Sequence, residues 1–370
     1  MDNDMPSRPV TRALRGLFLA GLTVLGIVSG PVSAQAEVKS VKIGVSGTSF
    51  LNLTYYYLLL PDLLGYWREE GYDVDVFPVS GSYEAVQQLA ANNLDFAQIG
   101  AIAIIQSNTE RGIPIRGVVT NGTLGVGIAV QKDGPIKSAS DLRGQNIGIV
   151  SLSSSAVPLL NSYLNGNGLY ADDVTLVATG VGASALNALE SGRVQGLMYW
   201  RAALVGFENA GAKINILRDP AWAAMPDYTF ATSQKTIDRD PKMVEGIARG
   251  IAKAMVFAAA NPDCVRRLLW KKYPDTKPTG VDEERAVATD MALMTATLED
   301  QRQAIALNPN GYTAATSVQA FGKYQDFLFK AGVLTREIEP VQFAMASEGL
   351  WAKVNDFDKV AIEKKASACK

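Results

Sequence analysis

The chain has 370 residues, of which 48% are hydrophobic, and its formal net charge at pH 7 is −2. This composition predicts a globular protein with one large core or two medium cores, and it offers no basic surface for nucleic acid. The chain contains no histidine and only two cysteines, which excludes Ser-His and Cys-His catalysis and the usual zinc sites. We therefore expect no metal and no cofactor.

Residues 1–36 have the pattern of a secretory signal peptide. The stretch "TRALRG" is positively charged, "LFLAGLTVLGIV" is apolar, and "SGPVSAQA" ends in small residues of the A-x-A type. The apolar run is shorter than the about 20 residues of a membrane-spanning helix. We predict cleavage after Ala36, and the lack of a nearby cysteine argues against a lipid anchor.

Strands and helices alternate in the first half of the mature chain. "VKIGVS" (41–46) and "YDVDVFPV" (72–79) are predicted strands, with helical segments over 53–70 between them. "SYEAVQQLAANN", "LDFAQIG", "AIAIIQSNTERG" and "IPIRGVVT" continue the alternation as helix, strand, helix and strand. This order predicts an α/β lobe with a parallel, doubly wound sheet.

A second series of the same kind begins near residue 131 and includes "QNIGIVS", "DVTLVATG" and "RVQGLMYW". Its segment Thr179 to Arg201 aligns with Val79 to Ala101 at an offset of 100 residues. The match is too weak to prove duplication, but it predicts two lobes of the same construction.

From about residue 236 onward the pattern is helical. The preceding stretch "YTFATS" (228–233) is a predicted strand, so we expect the chain to return to the first lobe there and the C-terminal helices to pack on that lobe. The predicted division is 37–130 for the first part of lobe 1, 131–227 for lobe 2 and 228–370 for the rest of lobe 1.

The two cysteines, Cys264 and Cys369, are able to pair in an oxidising compartment. Cys369 lies one residue from the end on a Lys- and Ala-rich tail that we predict to be poorly ordered. The sequence alone therefore leaves open whether the two cysteines pair, and it assigns them no catalytic or metal-binding role.

Ligands of doubly wound lobes lie beyond the carboxyl ends of strands, where helix N-termini offer free N–H groups to an oxyanion. Four serines, Ser151, Ser153, Ser154 and Ser155, lie at such a strand-to-helix junction. Helix capping explains one serine but not four, so we predict that this loop binds ligand. The corresponding loops elsewhere offer Ser46, Ser49, Phe50, Asn52, Gly81, Ser82, Gly100, Ala101, Asn121, Gly180 and Gly182, although turn formation alone also explains each glycine.

The stretch "MYWRAAL" places Trp200 at the end of a strand and Arg201 at the start of a helix. The Arg201 guanidinium would suit a carboxylate or sulfonate, unless it is a solvated surface group. Of Tyr55, Tyr56 and Tyr57, only one is able to face a cleft at helical spacing. A tyrosine there would favour a pyrimidine or an aromatic acid.

The stretch "YYYLLLPDLLGYWREEGYDVDVFPVSGSYEAVQQLAANNLDFAQIG" resembles the nitrate, sulfonate and taurine binding proteins of ABC importers, a family with pyrimidine-binding relatives. "IKSASDLRGQNIGI", "ALESGRVQGLMYW" and "FGKYQDFLFKAGVL" extend the resemblance over nearly all of the mature chain. It implies a two-lobed periplasmic binding protein of type II, with two crossings between the lobes. Arg201 departs from the family pattern, in which Trp is often followed by an acidic residue.

Three functions follow from these observations. The leading hypothesis is a monomeric periplasmic protein that captures a small organic anion (a sulfonate, taurine, nitrate or carboxylate) and delivers it to the permease and ATPase subunits of an ABC importer. The alternative ligand is a heteroaromatic such as a pyrimidine thiamine precursor, with Asp227 or Glu84 as its acidic partner. The third hypothesis, an enzyme, has the least support. The fungal pyrimidine synthases that resemble this family use a histidine and a cysteine-rich iron site, and this sequence has neither.

Overall fold

The computed structural model describes residues 38–47, 52–345 and 348–369. The predicted signal peptide lies outside these residues. In the described part of the chain, no helix is both long and apolar enough to cross a bilayer.

The first sheet has the strand order β2-β1-β3-β10-β4. Strands β1, β2 and β3 are mutually parallel, whereas β10 is antiparallel to both of its neighbours, β3 and β4. The strands are β1 (Lys39–Ser46), β2 (Tyr72–Val79), β3 (Phe96–Ile99), β4 (Ile115–Thr123) and β10 (Pro226–Ser233). We call this sheet and the helices packed on it lobe 1.

The second sheet repeats the arrangement with the order β7-β6-β8-β5-β9. Strand β6 is parallel to β7 and β8, and β5 is antiparallel to β8 and β9. The strands are β5 (Val126–Gln131), β6 (Asn146–Ile149), β7 (Thr175–Ala178), β8 (Gly196–Trp200) and β9 (Ile214–Leu217). This sheet and its helices form lobe 2, and the shared strand order confirms two lobes of the same construction.

Both sheets contain parallel and antiparallel strands, whereas the sequence predicted purely parallel sheets. The exceptions, β5 and β10, are the strands by which the chain enters lobe 2 and returns to lobe 1. The crossings were predicted near residues 130 and 228, but β5 and β10 already pair in their sheets from Val126 and Pro226. The division into two moving units at 130 and 227 stays a prediction.

The helices between the strands follow the predicted alternation. They are α1 (Tyr56–Leu63), α2 (Tyr66–Glu69), α3 (Ser82–Ala90) and α4 (Ala101–Thr109) in lobe 1, and α5 (Ala156–Gly166), α6 (Ala183–Glu190) and α7 (Arg201–Asn209) in lobe 2. Helices α4 and α7 begin 100 residues apart, as the alignment of the two halves predicted.

The chain after β10 is helical. Its helices are α8 (Gln234–Arg239), α9 (Pro241–Ala260), α10 (Pro262–Lys272), α11 (Glu283–Leu307), α12 (Val318–Lys330), α13 (Glu348–Val354) and α14 (Lys359–Ala368). Most of them pack on lobe 1 as predicted, but α11 contacts both β4 of lobe 1 and α7 of lobe 2. Arg285 on α11 donates a hydrogen bond to the carbonyl oxygen of Asn209 (2.7 Å), which fixes the end of α7.

Cys264 and Cys369 form a disulfide, with their Cα atoms 5.5 Å apart. The expectation of a poorly ordered tail is therefore wrong, and the pairing that the sequence left open is present. The tail is helix α14, which packs on α9 and buries Ile362 and Ala366. Asn261 also donates a hydrogen bond to the carbonyl oxygen of Ala366 (3.0 Å), so tertiary contacts order a segment whose composition alone predicts disorder.

Candidate functional site

The serine-rich stretch lies between β6 and α5, as the sequence predicted, and two of its serines contact lobe 1. Ser151 donates a hydrogen bond to the carbonyl oxygen of Ser80 in lobe 1. The Ser153 carbonyl accepts one from the backbone N–H of Tyr83 (3.3 Å). These two serines hold lobe 2 against lobe 1, so the structure is that of a closed protein.

Two glycines make this close approach possible. A Cβ atom on Gly81 would lie 2.5 Å from the carbonyl oxygen of Ser153, and one on Gly100 would lie 2.4 Å from Oγ of Ser155. Both distances are too short for any side chain. The predicted Gly81 and Gly100 therefore serve lobe contact and not only the turns before α3 and α4.

A cavity of about 80 Å³ lies where the lobes meet, and we call it the interlobe cavity. Eight of the residues predicted to bind ligand line it: Ser46, Gly81, Ser82, Gly100, Ser151, Ser154, Ser155 and Trp200. Its other lining residues are Tyr55, Ser80, Gln98, Ile102, Leu124, Val126, Val150, Ala156, Leu159, Met198, Tyr199, Asp227 and Tyr228.

Asp227 is the one charged side chain among the described residues that line this cavity. It is 8% exposed, and its Oδ1 accepts a hydrogen bond from the backbone N–H of Ala101 (3.1 Å) at the start of α4. Burial raises the pKa of Asp227 to about 7, although the N–H groups of Ala101 and Tyr228 favour the carboxylate. The α4 N-terminus that was predicted to bind an oxyanion is thus already capped by a carboxyl group of the protein.

Aromatic side chains form much of the remaining wall. Tyr55, and not Tyr56, is the tyrosine of the "YYY" run that lines the interlobe cavity. The rings of Tyr199 and Trp200 lie 5.6 Å apart, and the Tyr199 hydroxyl hydrogen bonds with Thr179 (2.8 Å). Such a wall provides flat apolar surface for a ring.

Tyr228 has an unusual backbone conformation, with φ at +43°. A bulky residue rarely adopts this region, because its Cβ crowds the backbone. Tyr228 has no pairing partner on β4, whereas its two neighbours do: Asp227 pairs with Gly122, and Thr229 pairs with Thr120. Strained residues of this kind concentrate at ligand sites.

Several predicted site residues do not line the cavity and have local structural roles. Asn52 accepts a hydrogen bond from the N–H of Thr54 (2.9 Å), and Ala101 acts through the bond to Asp227 described above. Gly180 accepts a hydrogen bond from the Tyr199 hydroxyl, and Gly182 adopts the positive φ of a turn before α6.

The remaining predictions have other outcomes. Ser153 serves the lobe contact, and Asn121 lines a different, smaller cavity. Ser49 and Phe50 lie outside the described residues. Glu84, the alternative acidic partner, does not line the interlobe cavity and accepts a hydrogen bond from the N–H of Ser80 (3.0 Å).

Arg201 does not lie in the interlobe cavity, contrary to the sequence prediction. Its Nε is 2.6 Å from Oδ1 of Asp300 on α11, and its side chain lines an outer groove between α7 and α11. The residue is the first of α7, where the chain has already turned away from the strand end. Burial raises the pKa of Asp300 to about 6, and the Arg201 charge opposes this rise.

Sequence reasoning missed Gln98, Tyr199 and Tyr228 as cavity residues and considered Asp227 only for the alternative ligand. Gln98 precedes the last residue of β3, where the alternation identifies a strand end but not the direction of a side chain. The sequence pattern "PDYTF" gave no sign of the irregular pairing that turns Tyr228 into the cavity.

Two α/β lobes with two crossings and a cavity between them are the fold of periplasmic binding proteins. Solved structures that share it include two binding proteins. The alkanesulfonate-binding protein SsuA from Xanthomonas axonopodis pv. citri, bound to MOPS, superimposes with a TM-score of 0.60 at 16% identity, covering 83% of this chain and 98% of that one. The nitrate-binding protein NrtA from Synechocystis PCC 6803 superimposes with a TM-score of 0.54 at 13% identity, covering 90% of this chain and 89% of NrtA.

The chain belongs to the NMT1/THI5-like family, whose profile matches residues 55–264. The riboflavin-binding protein RibY of Chloroflexus aurantiacus is 23% identical over 320 residues, which span 85% of this chain and 87% of RibY. The fold and family are those of substrate-binding proteins. In the described residues, no cluster of three or more Cys, Asp or Glu side chains is arranged to hold a metal ion.

Proposed function

We propose that this protein is a periplasmic solute-binding protein that closes its two lobes on a nitrogen heteroaromatic and delivers it to an ABC importer. The observation that carries the proposal is the pairing of a buried carboxyl group, Asp227, with an aromatic wall in one interlobe cavity. A ring with N–H or amino donors would stack on Tyr199 or Trp200 and donate to Asp227. RibY, a relative that binds a heteroaromatic, supports the same ligand class.

Polar groups around the ring would select its substituents. Ser154 and Ser155 offer hydroxyls from lobe 2, and Gln98 and Ser46 of lobe 1 are 3.3 Å apart, Oε1 to Oγ. Each group is both donor and acceptor. Closure would bring the two sets together around one ligand, as in a hinge mechanism.

A small organic anion is the second candidate, and one observation favours it. Helix α5 begins at the cavity wall, and Ser155 gives it no side-chain cap, although Oγ of Ser154 accepts a hydrogen bond from the N–H of Ala156 (3.1 Å). Its N-terminal N–H groups and the Ser154 and Ser155 hydroxyls would suit a sulfonate or nitrate, the ligands named for SsuA and NrtA. The anion ranks second because the cavity wall described here contributes a carboxyl group and no cation.

Export through the signal peptide, a monomeric state and direct contact with the permease belong to the same proposal. The protein would return its ligand chemically unchanged. The absence of histidine removes the commonest general base, which favours a carrier over a catalyst.

A ligand panel tests the proposal. The mature chain, residues 37–370, is heated with aminopyrimidines, riboflavin, aromatic carboxylates, taurine, alkanesulfonates and nitrate. A ligand at 100 times its Kd stabilises the folded state by ~2.7 kcal/mol and raises the Tm. Shifts with heteroaromatics support the proposal. Shifts confined to sulfonates, taurine or nitrate contradict it and favour the anion.

A further inference from the structure

Helix α5 of lobe 2 is bonded to lobe 1 at both of its ends. Before its start, Ser151 and Ser153 bond with the turn between β2 and α3, as described above. Near its end, Nδ2 of Asn165 donates a hydrogen bond to the carbonyl oxygen of Ala331 (2.9 Å). Ala331 directly follows α12, which packs on α4 and β10 of lobe 1. The two contacts lie at opposite ends of an 11-residue helix, which is about 16 Å long.

Between these two contacts, α5 forms part of the wall of the interlobe cavity. Ala156 and Leu159 line the cavity from this helix, whereas Asn165 and Ala331 are not among its lining residues. The hydrogen bond of Asn165 is therefore able to affect the cavity only through the position of α5.

Apolar packing accompanies the hydrogen bonds. Leu160 and Leu164 of α5 and Leu328 of α12 are fully buried, and they belong to one apolar cluster that extends over both lobes. Burial of apolar surface favours contact between the lobes without fixing a direction, whereas the hydrogen bonds at the two ends fix the position of α5. The closed arrangement thus has favourable contacts that belong to the protein alone.

We propose that α5 is a clasp, formed by Ala156–Gly166 and its lobe 1 contacts at Ser153 and Asn165, that holds the lobes closed for part of the time without ligand. Asn165 is then a positioning residue for ligand binding, although it lies outside the cavity. A ligand enters only while the clasp is open, so the clasp limits the rate of entry. The inference rests on the proposed movement of the two lobes about a hinge and not on the class of ligand.

The backbone N–H of Tyr83 reports whether the clasp is closed. Tyr83 is the second residue of α3, where N–H groups have no partner within the helix. It donates to the carbonyl oxygen of Ser153 across the lobes (3.3 Å). Hydrogen exchange at Tyr83 is therefore slowed while the lobes are in contact and is fast when they separate.

Two asparagines at the end of α5 provide the test and its control. Nδ2 of Asn165 donates across the lobes, whereas Nδ2 of Asn167 donates to the carbonyl oxygen of Tyr163 within lobe 2 (2.7 Å). Each alanine variant loses one hydrogen bond from a side-chain amide to the backbone, and loss of one such bond shifts an equilibrium about 5-fold. Asn165→Ala should speed exchange of the Tyr83 N–H by about this factor, and Asn167→Ala should leave it unchanged.

Amide hydrogen exchange of the mature chain, residues 37–370, is followed by NMR without ligand. Faster exchange at Tyr83 in Asn165→Ala than in Asn167→Ala supports the clasp, because Asn165 and Tyr83 lie on different lobes and at opposite ends of α5. Equal rates in the two variants overturn it, whatever the ligand panel shows. An equal rise at the N–H groups of β1 would mean general destabilisation of the fold and would also overturn it.

Discussion

The carboxyl group of Asp227 accepts a hydrogen bond from the backbone N–H of Ala101, although the two residues are 126 positions apart. Asp227 enters lobe 1 on the returning strand β10, and Ala101 begins α4. The bond places a negative charge at a helix N-terminus, where it is favoured, and holds it at the wall of the interlobe cavity. Recognition of a donor group on the ligand would follow from this one contact.

Asp227 is expected to make the stability of the folded chain depend on pH. Burial raises its pKa to about 7 in the folded state from the ordinary 3.8. Between about pH 4 and 7 the folded chain holds a proton that the unfolded chain has released, so the free energy of unfolding falls as the pH rises through this window. Asp227 should make the free energy of unfolding of the wild type about 3 kcal/mol higher at pH 5 than at pH 8. We expect Asp227→Asn to lack this part of the pH dependence.

Urea denaturation at both pH values measures this difference. Asp300, with a pKa of about 6, contributes a smaller fall of the same sign and is kept in both proteins. Identical pH profiles for the wild type and Asp227→Asn would show that Asp227 titrates normally.

Gly100→Ala is expected to block closure. The backbone of Gly100 has φ at −70°, which alanine adopts without strain, so the variant tests the contacts of the new Cβ, which would lie 2.4 Å from Oγ of Ser155 and 3.2 Å from Oδ1 of Asp227. We expect ligand affinity to fall at least about 10-fold, since closure contacts are lost, with the unliganded Tm nearly unchanged. Gly166→Ala, at the end of α5 with no atom near the added Cβ, is the matched control. Equal affinities of the two variants would contradict the role of Gly100.

The disulfide ties α14 to α10. It closes a long loop, because Cys264 and Cys369 are separated by 105 positions. Replacing both cysteines with serine is expected to lower the free energy of unfolding by about 2–5 kcal/mol. Urea denaturation with and without dithiothreitol measures this, and the serine variant should not respond to the reductant. A wild type that is equally insensitive would mean that the cysteines are unpaired in solution.

The ion pair of Arg201 with Asp300 is expected to stabilise the fold. Arg201→Leu leaves Asp300, 4% exposed, without its cation and should cost about 1–3 kcal/mol, reduced because the Arg201 side chain is 27% exposed. Asp300→Leu in the same chain should recover part of the loss, which a double-mutant cycle of unfolding free energies measures. If Arg201→Leu weakens sulfonate binding far more than binding of a neutral compound, Arg201 contacts the ligand as the sequence predicted.

Local patterns in the sequence were sufficient for the lobes and for much of the cavity. Ser154, Ser155 and Gly100 lie at strand-to-helix junctions, which periodicity locates well. Strand direction is not encoded in a local pattern, so the antiparallel β5 and β10 were not foreseen. These two strands are antiparallel because they carry the chain from one lobe to the other, and that path depends on the whole chain and not on a local pattern.

Side-chain direction and long-range pairing account for the other misses. Arg201 and Trp200 are adjacent, yet Trp200 lines the cavity and Arg201 pairs with Asp300, 99 positions later in the chain. The order of α14 depends on its packing against α9, which composition does not reveal. Such contacts are decided by tertiary structure and not by propensity.

The most direct measurement is calorimetric titration of the wild type and Asp227→Asn at pH 7 with the heteroaromatic that gives the largest thermal shift, in two buffers of different ionisation enthalpy. A ligand that donates to Asp227 favours the carboxylate, so binding should release up to about half a proton from the wild type and none from the variant. Affinity should also fall in Asp227→Asn. Proton uptake, or equal affinity in both proteins, would contradict the account.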